Sequence, residues 1–196
     1  REAGLIVIGD AKRGDIGSTM DAYAAAWLTP GEPLEVDALT VNPFLGVGAL
    51  DGAFALAAAH DKGLFVLAST SNPEATGLQR STSAIGGTVS ANVIAEVSAR
   101  NATSAEAGEW GGFGFVIGAT VDWTDAGLTA FSPVAPILAP GFGAQGAAPA
   151  DLTRRFGGMS SAVIASESRS ILSAGPDGLV AAIDARVAEY SEALHG

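Results

Sequence analysis

Six short apolar runs, each followed by a longer stretch of helical character, predict an α/β fold of parallel strands. Polar and glycine-rich residues follow nearly every run, which favours a (β/α)8 TIM barrel over a doubly wound sheet. A barrel gathers its site from all its strand ends, whereas an open sheet concentrates it at one switch point. Counted as a barrel, residues 1–196 form a single domain carrying strands three to eight and a C-terminal helix, with the first two βα units absent from this chain.

Strands are read at residues 5–8, 38–42, 64–68, 113–118, 135–139 and 162–165. Each is apolar almost throughout, as when helices cover one face of a strand and a barrel interior the other. Between them, Ser18 with Asp21 three positions later has the spacing of a capping box. Met20, Tyr23, Ala24, Trp27 and Leu28 then share one helical face, and Thr29-Pro30-Gly31 stops that helix. Further helices are expected at 49–59, 86–98 and 148–156. Val180, Ile183, Val187, Tyr190 and Leu194 recur at intervals of three and four, the mark of an amphipathic C-terminal helix. The small polar stretch 71–83 is a loop and a candidate lid.

Hydrophobic residues make up 48% and charged residues 16%, enough to fold one sizeable core. The net charge of −11 argues against broad nucleic-acid binding, which needs a basic surface. An anionic substrate would therefore be held by a few local cations and by backbone N–H groups. No apolar run approaches the roughly 18 residues of a membrane span, and no secretory signal pattern opens the sequence. Without cysteine there are no disulfides or thiolate metal sites, which suits a cytoplasmic protein. His60 and His195 lack companions for a metal site or a triad, and His60 reads as a helix end. Asp122 and Asp125 read as loop residues, Trp110 and Trp123 as packing residues.

The densest chemistry follows the first strand, where Asp10, Lys12, Arg13 and Asp15 fall within six residues. Asp10 and Lys12, two apart at a strand end, point to the same face. Such a cluster is either a salt-bridge network closing the barrel mouth or a catalytic group.

The run Asp10-Ala11-Lys12-Arg13-Gly14-Asp15-Ile16-Gly17-Ser18-Thr19 resembles the signature of the orotidine 5′-phosphate decarboxylase family, in the form of its longer, mycobacterial-like bacterial branch. Thr40-Val41-Asn42-Pro43 resembles the family's next strand, and Ser71-Asn72-Pro73-Glu74-Ala75 its pyrimidine loop. Pro140-Gly141-Phe142-Gly143-Ala144-Gln145-Gly146 resembles its phosphate loop, and Ser166-Glu167-Ser168-Arg169 the last strand's end with its phosphate-binding arginine. The chain departs from the family at Asn72 (usually His), Glu74 (usually Gly), Ala147 and Ser168. The family's Asp after its first strand and Lys after its second have no counterpart here, so half of its Lys-Asp-Lys-Asp array is present.

The resemblance implies cofactor-free decarboxylation of orotidine 5′-phosphate to UMP in pyrimidine biosynthesis, with Lys12 as proton donor and Asp10 and Asp15 as catalytic carboxylates. It implies substrate contacts from Ile16, Thr19, Ser71, Pro140, Gln145 and Arg169, no metal, and a homodimer in which Asp15, Ile16 and Thr19 serve the partner's site. Two alternatives stay open: a phosphate-binding barrel decarboxylase or aldolase of the same superfamily, and a non-catalytic module derived from the barrel.

Overall fold

The computed structural model describes residues 3–105 and 108–195. Six strands, β1 (Ile8–Arg13), β2 (Ala38–Val41), β3 (Gly63–Ser69), β4 (Phe113–Ile117), β5 (Ile137–Pro140) and β6 (Val163–Ser166), form one sheet in sequential order. Every neighbouring pair is parallel. Sequential order separates a barrel from a doubly wound sheet, whose order reverses at a switch point. Right-handed crossovers taken always in one direction put all helices on one face, and the sheet curls around the other. The result is a six-stranded arc of a (β/α) barrel.

The helices are α1 (Gly17–Leu28), α2 (Asp51–Ala59), α3 (Thr76–Gln79), α4 (Val89–Asn101), α5 (Leu152–Phe156), α6 (Arg169–Leu172) and α7 (Gly175–His195). Strand residues alternate between two cores. Leu39, Val41, Leu64, Val66, Phe115 and Ile137 face the helices, with Met20, Leu28, Phe54 and Val97 packed over them. Ala38, Phe65 and Val116, joined by Ile8, Leu67 and Leu138, form the smaller inner cluster. Phe115 is fully buried, and burial of such a ring contributes roughly 3 kcal/mol. The two-residue period that carries Ile8 inward carries Asp10 with it.

Several expectations need correction. The first strand begins at Ile8, not at residue 5, and Leu5 and Ile6 are 69% and 80% exposed. Its pairing starts with Ile8 opposite Ala38. Val7 still meets the approach to β2 through the Asp37 N–H, but one residue earlier the Val36 N–H turns away to Trp27 O. Asp10 and Lys12 thus lie inside β1 rather than after it. The capping box at Ser18 does not form: α1 starts at Gly17, Ile16 is its N-cap, and no side chain caps it. Asp21 instead lies against Gly52 of α2, where a Cβ would sit 2.0 Å from its Oδ1. The 71–83 stretch contains a 3-10 turn and α3 rather than a plain loop. Trp110 is 50% exposed and does not pack in the core, whereas Trp123 meets Phe156 edge-on at 5.9 Å. The apolar stripe of α7 is largely uncovered among the described residues, with Val180 70% and Val187 62% exposed. α7 follows the edge strand β6, which offers only one neighbour, β5, to pack beside.

Candidate active site

The charged motif of β1 is assembled around one buried hydroxyl. Lys12 Nζ meets Asp10 Oδ1 at 2.6 Å. The same oxygen accepts from Thr40 Oγ1 at 3.0 Å, and Thr40 Oγ1 accepts from the Lys12 backbone N–H at 2.9 Å. Thr40 is fully buried on β2, so it fixes the two charged residues from below. The β1–β2 register slips between Gly9 and Arg13, and Lys12 has φ of 49°. That left-handed backbone costs a non-glycine residue about 1–2 kcal/mol. The Lys12 and Asp10 side chains are 49% and 60% exposed, and an exposed pair contributes at most about 1 kcal/mol. Stability therefore does not account for the arrangement; strain held at a strand end is a mark of a functional site.

The turn after β1 presents the rest of the motif. Gly14 is required because a Cβ there would lie 2.5 Å from Asn42 O. Asp15 is half-buried, and its Oδ1 accepts from the Ile16 N–H at 2.8 Å. No ion pair joins Asp15 to Lys12 among the described residues. Ile16 is 63% exposed and Thr19 is exposed, so both face away from the core. Arg13 places its guanidinium over the Tyr23 ring at 5.3 Å.

At the end of β3, Ser71 is exposed beside Gly118. The two unusual residues of this loop bond to each other: Asn72 Nδ2 donates to Glu74 Oε2 at 3.0 Å. This bond holds the Glu74 carboxyl below its ordinary range.

A third group lies at the ends of β5 and β6. Pro140, Gly141, Phe142, Ala144, Gln145, Ser166, Ser168 and Arg169 line a small cavity of about 80 Å³. Its loop is knotted by its own backbone: Gly143 N–H donates to Ala147 O at 2.8 Å and Ala147 N–H to Gly141 O at 3.1 Å. Gly143 has φ of 67°, and a Cβ there would come within 2.5 Å of Ser170 Oγ and 2.7 Å of Glu167 Oε2. Arg169 opens α6 and is exposed, as is Gln145. A cavity of this size, edged by a guanidinium, a carboxamide and glycine backbone, suits a phosphoryl-sized anion. A larger cavity of about 440 Å³ lies between β6 and α7. Its lining includes Ile183, Val187 and Leu194 but neither Lys12 nor Arg169, so it is not the chemical centre.

The structure thus joins Asp10 to Lys12, and gathers Pro140, Gln145 and Arg169 about one cavity. Asp15, Ile16, Thr19 and Ser71 remain separate surface elements. Reading the sequence did not single out Thr40 or Glu167 as supports. Thr40 had a visible signal, a hydroxyl in an otherwise apolar strand.

Comparison with known proteins places this geometry. Residues 1–183 match the model of the orotidine 5′-phosphate decarboxylase / HUMPS family. The chain is 51% identical over its whole length to an orotidine 5′-phosphate decarboxylase of Salinispora tropica, covering 69% of that protein. It is 47% identical over 90% of its length to the Corynebacterium glutamicum (strain R) enzyme, covering 63% of it. The chain is therefore about two thirds as long as these relatives. A crystal structure from Streptomyces avermitilis, described as an orotidine 5′-phosphate decarboxylase, superposes with a TM-score of 0.92 at 45% identity, over all of this chain and 67% of that one. The sequential parallel arc, the strand-end groups and these matches together establish that the chain belongs to the orotidine 5′-phosphate decarboxylase / HUMPS family.

Proposed function

We propose that the protein converts orotidine 5′-phosphate to UMP and CO₂, with Lys12 delivering the proton. The observation that carries this reading is the exposed Lys12–Asp10 pair, held on strained backbone by the buried Thr40 hydroxyl. The C6–carboxylate bond breaks, CO₂ leaves, and the bonding electron pair stays on C6. No neighbouring π system accepts that pair, so a fixed cation beside C6 is the effective help a protein can give. The Lys12 ammonium supplies that charge and then its proton, giving UMP. Asp10 aims the ammonium. Its own charge opposes the substrate carboxylate, and that opposition is relieved as CO₂ departs.

Arg169 and Gln145 grip the phosphate, with Pro140 and the 141–146 backbone closing around it, and Ser71 meets the pyrimidine. Phosphate binding far from C6 then acts by positioning the ring. In this reading the enzyme is a cytoplasmic homodimer that needs no cofactor or metal. Asp15, Ile16 and Thr19 reach the partner's site. Exposed Ile16, Phe44, Leu45 and Ile85 supply apolar surface for that contact.

The family's description also names HUMPS proteins, but the named relatives and the Arg13-Gly14-Asp15-Ile16 run favour the pyrimidine substrate. The test is to incubate the protein with orotidine 5′-phosphate and a chelator, and to quantify UMP and CO₂. Equal amounts of the two products are expected. Turnover of a keto-sugar phosphate instead, abolished by the chelator, would assign the other branch.

A further inference from the structure

Behind the cavity edged by Arg169 lies a buried carboxylate that the proposed reaction does not use. Glu167 follows β6, and its carboxylate is 2% exposed. Its Oε1 accepts from the Tyr190 hydroxyl at 2.5 Å. Its Oε2 accepts from Ser170 Oγ at 2.5 Å and pairs with Arg186 Nε at 3.1 Å. Tyr190 and Arg186 lie one helical turn apart on α7.

The same tyrosine touches the other loop. Its ring meets Phe142 edge-on, with centroids 5.5 Å apart, and Phe142 in turn stacks on Phe156. Phe142 is buried and immediately precedes Gly143, which lies against Glu167 Oε2 and Ser170 Oγ. Ser170 is next to Arg169, and Gln145 is two residues beyond Gly143. One helix therefore holds both loops: the tyrosine hydroxyl secures the β6 end, and its ring secures the β5 loop.

We infer that Tyr190, with Glu167 and Arg186, acts as a positioning clamp that sets Arg169 and Gln145 at the spacing a phosphate monoester requires. This rests on the reading of the cavity as a phosphate site. A carboxylate so near an anion site weakens binding unless its charge is balanced, and Arg186 balances it. Burial would raise the Glu167 carboxyl, but the bonds from Ser170 and Tyr190 and the Arg186 charge outweigh burial and hold it below the usual range. Burial and the Glu167 charge raise the Tyr190 hydroxyl, so it remains a donor.

The test compares UMP and uridine binding by calorimetry for wild type, Tyr190→Phe and Glu167→Gln, with amide exchange followed at Gly143, Gly146 and Ala147. Tyr190→Phe keeps the ring against Phe142 and removes only the hydroxyl. Both variants should bind UMP about tenfold more weakly, bind uridine as wild type does, and exchange the loop amides faster. Unchanged UMP affinity in both variants, with wild type still preferring UMP to uridine, would overturn the clamp and leave the phosphate site standing. Equal weakening of UMP and uridine would also overturn it, marking a general loss of structure. Wild type binding uridine as tightly as UMP would instead overturn the phosphate reading on which the clamp rests, whatever the exchange data show.

Discussion

Lys12 and Arg169 both reach the strand ends as exposed cations, yet the protein supports them by different means. Lys12 sits on β1 on a left-handed backbone, aimed by Asp10 and by one hydroxyl from the next strand. Arg169 opens a short helix whose neighbours Glu167 and Ser170 are tied to α7 through buried side chains. The first region uses local backbone strain and a single buried polar contact. The second uses a network that spans 23 residues of sequence. A group that moves a proton must be placed to a fraction of an ångström relative to one atom, whereas an anion gripper must be placed relative to another gripper. Damage at β1 should therefore appear in kcat, and damage behind β6 in ligand affinity.

The largest effect should follow from Lys12→Ala, which removes the proposed donor. It should lower kcat at least a thousandfold, about 4 kcal/mol, while UMP binding stays within a few-fold, as measured by steady-state kinetics and calorimetry. Retention of more than a tenth of the wild-type rate would limit the contribution of Lys12 to about 1.4 kcal/mol and end its assignment as donor. Arg169→Ala should weaken UMP by about 10–100-fold through loss of charge-assisted hydrogen bonds, with uridine binding unchanged. Equal losses for both ligands would mean that Arg169 acts through folding, and the contrast between the regions would collapse.

Thr40→Val sharpens the comparison because it changes little in shape. Asp10 and the Lys12 N–H each lose one hydrogen bond, so kcat should fall about tenfold, with KM close to wild type. A change in KM alone would show that Thr40 supports binding rather than the aim of Lys12.

The smallest effect concerns Asp151, which ends the turn after the loop at residues 141–147. Its carboxylate accepts from the Ala148 N–H at 3.0 Å and from Arg154 at 2.5 Å. The backbone bond first, and then Arg154, lower its pKa from 3.8 to about 2. A carboxyl whose folded pKa is depressed adds stability above its unfolded pKa and loses it as the pH falls through the folded value. Thermal melts of wild type should therefore show a decline between pH 4 and pH 2 to which Asp151 contributes. Asp151→Asn should flatten part of that decline, and an unchanged slope would remove Asp151 from the acid limb.

Much of this was legible in the sequence because it depends on local pattern. Apolar runs mark β2 to β6 to within a few residues, and in β2, β3 and β4 burial on both faces leaves little choice of residue. The motif of β1 places Asp10 and Lys12 on one face, and they do meet. Tertiary contacts hid the rest. The pairing before β1 ends where the Val36 N–H turns away to Trp27 O. Ser18 lost its capping role because the chain turns at Gly17, which has φ of 54°, and enters the helix two residues early. The strain at Lys12 and the bond from Thr40 arise only when β1 and β2 pair. Glu167 carries no local signal of its role, because its partner Tyr190 belongs to a helical stripe that reads as packing. Both roles of that tyrosine are real, with its ring packed on Phe142 and its hydroxyl on Glu167.

The most direct test of the assignment of Lys12 uses the product alone. A group that gives a proton to C6 must, by microscopic reversibility, be able to take it back. UMP held with the protein in D₂O should therefore exchange its C6 hydrogen for deuterium, seen by proton NMR as loss of the C6 signal and collapse of the C5 doublet. Exchange is expected with wild type and none above background with Lys12→Ala, although that variant still binds UMP. Exchange at the wild-type rate in Lys12→Ala, or no exchange in wild type with UMP bound, would contradict it.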